Sequence, residues 1–298
     1  MELTLGPVLF YWRPEVWRDF HFRIADEAPV ETVVVGETVC AKRLPSHAAH
    51  LPLVVERLQR GGKRVLLASL ALVAQERERQ ETAALARTEG ALVEASDVTA
   101  VAHLAGRPHA IGPTVNVYNE ATAAWLAGRG AVRLCLPPEL PAESVARIAA
   151  AVPAVAVEVF GFGRVPLAIA TRCYHARANG LHKVSCRFVC ADDADGLAVD
   201  TLDGQHFLAV NGVQTLSHAC ANLVEDIGGL AARGVAACRL SPQSCDMVAV
   251  ARTFRAVLDG RMAAAEGRAA LAALFPQAPF ANGFLHGQAG AGYAAAGA

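Results

Sequence analysis

Along the chain, short runs of β-branched and aliphatic residues alternate with stretches whose apolar positions recur every three or four residues. That pattern predicts strands, each followed by an amphipathic helix. Leu3–Leu5 precedes a helical stretch from about Pro14 to Ala25. Thr32–Gly36 precedes a helix near Ser46–Gln59, where Leu51, Val54, Val55 and Leu58 share one face. Arg64–Ser69 leads into Leu70–Thr88, and Ala91–Ser96 into Asp97–Ala105, with Val98, Val101 and Leu104 three apart. His109–Gly112 precedes a helix with Asn119 at its N-cap, and Ala131–Leu136 one opened by Pro141. Val155–Phe160 makes a seventh strand and Gly234–Ser241 an eighth. Ser241 and Pro242 then start a final helix that buries Met247, Val250, Phe254 and Val257.

Eight strand–helix units predict an α/β chain folded as a TIM-type (β/α)8 barrel. The same alternation also suits a doubly wound open sheet. The first seven units occupy residues 1–163, and a cysteine-containing insertion, 164–233, follows the seventh strand. That insertion includes a hairpin region with Asp203–Gly204 as its turn. The last strand and helix take 234–280, and the Gly/Ala-rich stretch 281–298 reads as a flexible tail.

The 298 residues are 53% apolar and 18% charged, enough for a sizeable core and incompatible with wholesale disorder. A net charge of −1 argues against a broad nucleic-acid footprint. The opening MELTLGPVLFYW has no basic region ahead of its apolar run, and no long uninterrupted apolar stretch predicts a transmembrane segment. A cytoplasmic location is the expectation, and eight cysteines there point to metal or redox chemistry rather than disulfides.

Cys40, Cys173, Cys186 and Cys190 have the spacing of an iron–sulfur ligand set. Twelve residues separate Cys173 from Cys186 and three separate Cys186 from Cys190, while Cys40 lies just past the second strand. A local triplet and one distant thiolate is a common way to complete a sulfur cage. Four-cysteine zinc, the rival, usually shows two close pairs, and only Cys186–Cys190 makes one. Cys135 and Cys238 fall inside apolar strands, where free cysteine acts as a small hydrophobe. Cys220, in what reads as a helical stretch, and Cys245, early in a helix, read as bystanders.

From Arg164 to Cys190 there is no acidic residue, but Arg164, Arg172, His175, Arg177, His182, Lys183 and Arg187 are present. Such a stretch can offset the negative charge of a thiolate-bound cluster, grip an anion, or simply form a solvated basic loop. Glu37, Asn116 and Glu158 sit at strand ends with no evident local structural task. With Arg164, Arg172 and His182 they form the candidate substrate or cluster environment. No phosphate loop, H-E-x-x-H or G-x-S-x-G pattern occurs, so no hydrolase machinery is recognisable.

The segments LGPVLFYW, GETVCAKR, VEASD, GPTVNVYN, EVFGFGRVPLAIATRCYHAR, FLAVNGVQT and RLSPQS, with the cysteine run, resemble the collagenase-like peptidase family. The resemblance is closest to its UbiV branch, of oxygen-independent ubiquinone biosynthesis, and runs in order from about residue 3 to 260, with NGFLHG (282–287) extending it. It implies a barrel carrying a 4Fe–4S cluster, with Cys40, Cys173, Cys186 and Cys190 on the four ligand positions. It also implies a heterodimer with a UbiU-like iron–sulfur protein, a UbiT-like lipid-binding helper, and a ubiquinone precursor as the molecule hydroxylated. An active peptidase is not expected. Where relatives tend to show Cys and Trp in the terminal segment, this chain has Ala281 and Leu285. Two other readings stay open: an RNA-hydroxylating iron–sulfur enzyme of the same family, and a non-catalytic scaffold with a structural cluster.

Overall fold

The computed structural model describes residues 1–295. Strands β1 (Glu2–Leu5), β2 (Thr32–Val35), β3 (Arg64–Ala68), β4 (Leu92–Ala95), β5 (His109–Ile111), β6 (Ala131–Cys135) and β7 (Ala156–Ile169) pair in parallel, each with the next. After them come β8 (Leu197–Asp200), β9 (His206–Asn211), β10 (Gln214–Asn222), β11 (Ala237–Leu240) and β12 (Phe280–Ala281). β11 pairs in parallel with both β7 and β1, which closes an eight-stranded barrel. The open-sheet alternative is thereby excluded. β8, β9 and β10 form an antiparallel meander that joins the long distal half of β7, and β12 adds to β10.

Helices α1 (Pro14–Glu27), α2 (Leu44–Ala48), α3 (Leu51–Arg60), α4 (Glu76–Ala86), α5 (Val98–Leu104), α6 (Glu120–Ala127) and α7 (Ala142–Ala151) follow the first six strands. Then come α8 (Tyr174–Ala178), α9 (Ile227–Ala232), α10 (Met247–Leu258) and α11 (Ala264–Leu274). The stretch read as one helix over Ser46–Gln59 is two, because Pro52 is tolerated only in a first turn and α3 restarts there. The helix expected from Leu70 begins at Glu76, where Glu78 accepts the N–H groups of Ala74 and Gln75 at 2.7 and 2.9 Å. Asp246, not Ser241, caps α10, accepting from Val248 and Ala249 at 3.1 Å each. Cys220 lies on β10 rather than on a helix. No helix among the described residues is long and apolar enough to cross a bilayer.

Alternation sorts the strand residues. Leu3, Leu5, Val33, Val35, Val157 and Val159 join the core shared with the helices, while Val34, Leu66, Ala68 and Ala110 form a separate apolar group. Charge also fills the strand layer. Glu158 is fully buried and accepts from Arg133 Nε and Arg239 Nε, and Arg239 Nη1 donates to Glu94 at 2.9 Å. Burial raises the Glu158 carboxyl pKa, but Arg239 and Arg133 more than offset it and hold it down at about 2. Glu158, named above in the candidate substrate or cluster environment, ties β7 to β6 and β11. Removing any member of this buried carboxylate–guanidinium group would strand a charge.

The terminal segment was expected to be loose, but 281–295 folds against the barrel; positions 296–298 lie outside the described residues. Asn282 Nδ2 donates to Asp226 at 3.1 Å, Ala142 N donates to Leu285 O at 2.9 Å, and Tyr293 Oη donates to Glu225 at 2.7 Å.

Candidate metal centre

Cys40 is aimed by the turn leaving β2. Gly36 sits at φ +127°, and a Cβ there would stand 3.0 Å from the Ala68 carbonyl, so only glycine fits this exit. Glu37 Oε1 then accepts the N–H groups of Val39 and Cys40 at 2.7 and 3.0 Å. Burial raises the Glu37 carboxyl pKa, while Arg43 and those two N–H groups pull it back; the net direction is upward. Beyond Cys40, a turn of 3-10 helix at Ala41–Arg43 swings Arg43 inward.

Cys173 caps α8, its Sγ accepting the Ala176 N–H at 3.3 Å and donating to the Gly212 carbonyl at 3.2 Å. Between Cys186 and Cys190 the backbone bends through two left-handed residues, Arg187 (φ 51°) and Phe188 (φ 55°). Non-glycine residues rarely adopt that conformation, and here it folds the three-residue spacer tightly. Lys42 Nζ holds the same loop from the opposite side through the carbonyls of Lys183 and Val184, at 2.8 and 2.7 Å.

All four sequence-predicted cysteines are buried, unpaired by disulfides, and line one small cavity with Arg43 and Phe188. Val39, Ala176 and Val213 pack around Cys40, Cys173 and Cys186. Arg43 is only 1% exposed. Its guanidinium donates to Leu9 O at 3.3 Å and Asn211 Oδ1 at 2.6 Å, stands 3.9 Å from Glu37, and lies over the Tyr11 ring. Burial works against its charge, but Glu37 and the sulfurs of Cys190 and Cys40 more than restore it. Burial likewise pushes the Cys40 and Cys190 thiols up, with Arg43 the main opposing influence.

Among the described residues no three His, Cys, Asp or Glu side chains group as ligands for a single ion. Four free thiols, a backbone N–H aimed at one sulfur and a buried guanidinium beside two others match, as a donor set, the chemistry of a thiolate-held cluster.

The other predicted residues scatter. Arg172 and His182 are exposed around the cysteine loop. Arg164 is buried elsewhere, donating to the carbonyls of Ser217 and His218 on β10. Asn116 is exposed, at φ 64° after a turn of 3-10 helix, on a cleft shared with Tyr118 and Glu139. His175 is fully buried, with Nδ1 3.1 Å from Val210 O and Nε2 2.9 Å from Asp193.

The sequence reading gave Asn211 and Gln214 no definite role. Asn211 is fully buried, and its Nδ2 donates to the carbonyls of Cys190 and Asp193 at 3.0 and 2.9 Å. Gln214 lines the barrel mouth with Thr38 and Ser241, next to Glu94 and Arg239. Thr38 Oγ1, Gln214 Oε1 and Ser241 Oγ are buried there without partners. Unpaired buried polar atoms are rare in folded proteins. Leu9, Val39 and Ile169 line this mouth and also pack on the cysteine group, so one apolar layer separates the two.

A model of peptidase family U32 matches residues 18–294. A solved structure of a U32 peptidase, Mk0906, is similar at 15% identity over 82% of this chain and 94% of the other, with a TM-score of 0.46.

Proposed function

This chain belongs to peptidase family U32, and from that premise we propose that it is the 4Fe–4S subunit of an oxygen-independent ring hydroxylase in ubiquinone biosynthesis. The observation that carries the reading is the convergence of four unpaired thiols on one buried cavity next to the barrel mouth. In this reading Cys40, Cys173, Cys186 and Cys190 hold the cluster. Such a cluster supplies one-electron transfer. Arg43 offsets the negative charge of the thiolates, and Asn211 and Lys42 fix the loops that present them. Thr38, Gln214 and Ser241 orient a polar ring substituent at the mouth, one side-chain layer from the sulfurs. A UbiU-like iron–sulfur protein is the partner, a UbiT-like lipid-binding protein the supplier, and a ubiquinone precursor the substrate.

Anaerobic co-expression with a UbiU-like partner, followed by metal analysis and electron paramagnetic resonance of the reduced complex, tests this. Iron and sulfide in cluster ratio are expected, and Cys186→Ala should abolish this chain's share. Stoichiometric zinc without iron, or iron unaffected by Cys186→Ala, ends the reading. A second reading, RNA hydroxylation, draws on the exposed Arg172, Arg177 and Arg187 around the cysteine loop. It requires RNA affinity that falls steeply with salt.

A further inference from the structure

An apolar recess among the described residues lies away from the cysteines, between β7, the β9–β10 hairpin, the loop after β6 and the terminal segment. It is a cavity of about 350 Å³, within the range of small-molecule sites. Val159, Val165 and Leu167 of β7, Leu208 of β9, and Phe284 and Leu285 of the terminal segment line it. Phe284 rests directly against Gly290, where any Cβ would meet the ring. The Asn282–Asp226 bond and the Leu285 carbonyl, which accepts from Ala142 N at 2.9 Å, fasten this wall. At the rim, Phe207 and Leu167 are 58% and 48% exposed, large apolar side chains left open among the described residues.

We propose that this cavity is a binding site for a hydrocarbon chain, isoprenoid or acyl. The mostly apolar walls give such a chain about 25 cal/mol per Å² of surface removed from water, with His206, Ser217, His218 and Asn282 the polar members of the lining. The volume admits several carbons of such a chain. Pro137, Pro138 and Leu167 are shared with the cleft of Asn116, Tyr118 and Glu139, which shares Pro113, Thr114 and Ile169 with the barrel mouth. A bound chain can therefore extend its polar end towards the mouth. That last placement rests on the ring-hydroxylation reading; occupancy of the cavity by a chain does not.

Equilibrium dialysis of the purified full chain with radiolabelled farnesol, and in parallel dodecanol, tests the site. One saturable equivalent is expected. Leu285→Trp, which fills the cavity, should weaken binding tenfold or more, and Phe207→Ser, at the exposed rim, about threefold. Preference for farnesol marks an isoprenoid site and preference for dodecanol an acyl site. Non-saturable uptake of both probes overturns the proposal, as does unchanged affinity in Phe207→Ser, which is too exposed to threaten folding. Cys186→Ala should bind farnesol as the parent does, so loss of the cluster reading leaves this result standing, and the reverse.

Discussion

Arg43 Nη2 donates to the side-chain oxygen of Asn211 at 2.6 Å, joining positions 168 residues apart. The same oxygen accepts the Tyr11 N–H at 3.2 Å, and the amide nitrogen holds the carbonyls of Cys190 and Asp193. One carboxamide thus binds the loop after β1, the turn carrying Cys40, and the cysteine insertion. Asn211→Ala leaves these partners buried and unpaired, at about 1–3 kcal/mol for each group that water cannot reach. A loss of roughly 3 kcal/mol or more in urea unfolding is expected, and a loss under 1 kcal/mol would mean the loops are held by something else.

Glu158 yields a pH prediction. Its carboxyl titrates at about 2 in the folded chain, against 4.5 as the ordinary value. The stability it contributes is complete above pH 4.5 and is lost as pH falls through the folded value of about 2. Glu158→Gln should flatten unfolding free energy across that window, while lowering it at neutral pH by about 3–5 kcal/mol because Arg133 and Arg239 lose their shared counter-charge. An unchanged pH profile in the variant would show that the acid sensitivity comes from other carboxylates.

His21 acts in a higher window. It is fully buried between Trp17 and Phe20, its Nδ1 donating to Trp17 O at 2.7 Å, and burial lowers its pKa from 6.5 to about 4. The folded chain keeps the imidazole neutral while the unfolded chain protonates it. Stability is therefore full above pH 6.5 and declines towards pH 4. His47, stacked on Trp17 and shifted in the same direction, adds to the decline. His21→Phe should remove part of the slope in thermal melts between those limits; a slope that stays whole assigns the effect to His47.

The barrel was legible because its strands are β-branched runs with turn residues at both ends. Glu37 could be placed at a strand end from sequence, but not its burial with Arg43 beside Cys40, since that depends on how β1, β2 and β9 come together. The Arg133–Glu158–Arg239 cluster was hidden for a different reason. Each residue interrupts an apolar strand singly, and only barrel closure brings them within hydrogen-bonding reach. Composition misled at the terminus: alanine and glycine suggested a loose tail, yet the anchors are single polar residues, Asn282 and Tyr293, whose partners lie in Glu225–Asp226. Asn211 carried no periodic signal at all. Its importance lies in four hydrogen bonds to segments remote in sequence.

Two glycines of the insertion separate backbone strain from contact. Gly180 sits at φ +67° with open space where a Cβ would go, and Gly212 at φ +69° with the Arg43 guanidinium in that place. Alanine at either position meets the left-handed penalty of about 1–2 kcal/mol. At Gly212 the methyl also displaces a guanidinium held by Asn211 and Leu9, which adds about 1–3 kcal/mol. Gly212→Ala should therefore unfold at distinctly lower urea than Gly180→Ala. Because Arg43 stands against Cys40 and Cys190, Gly212→Ala should also react faster with a thiol reagent at those two positions, read by mass spectrometry, whereas Gly180→Ala should match the parent. Equal behaviour of the two variants would mean that Arg43 is free to move aside, and that the cysteine cavity does not depend on where this guanidinium stands.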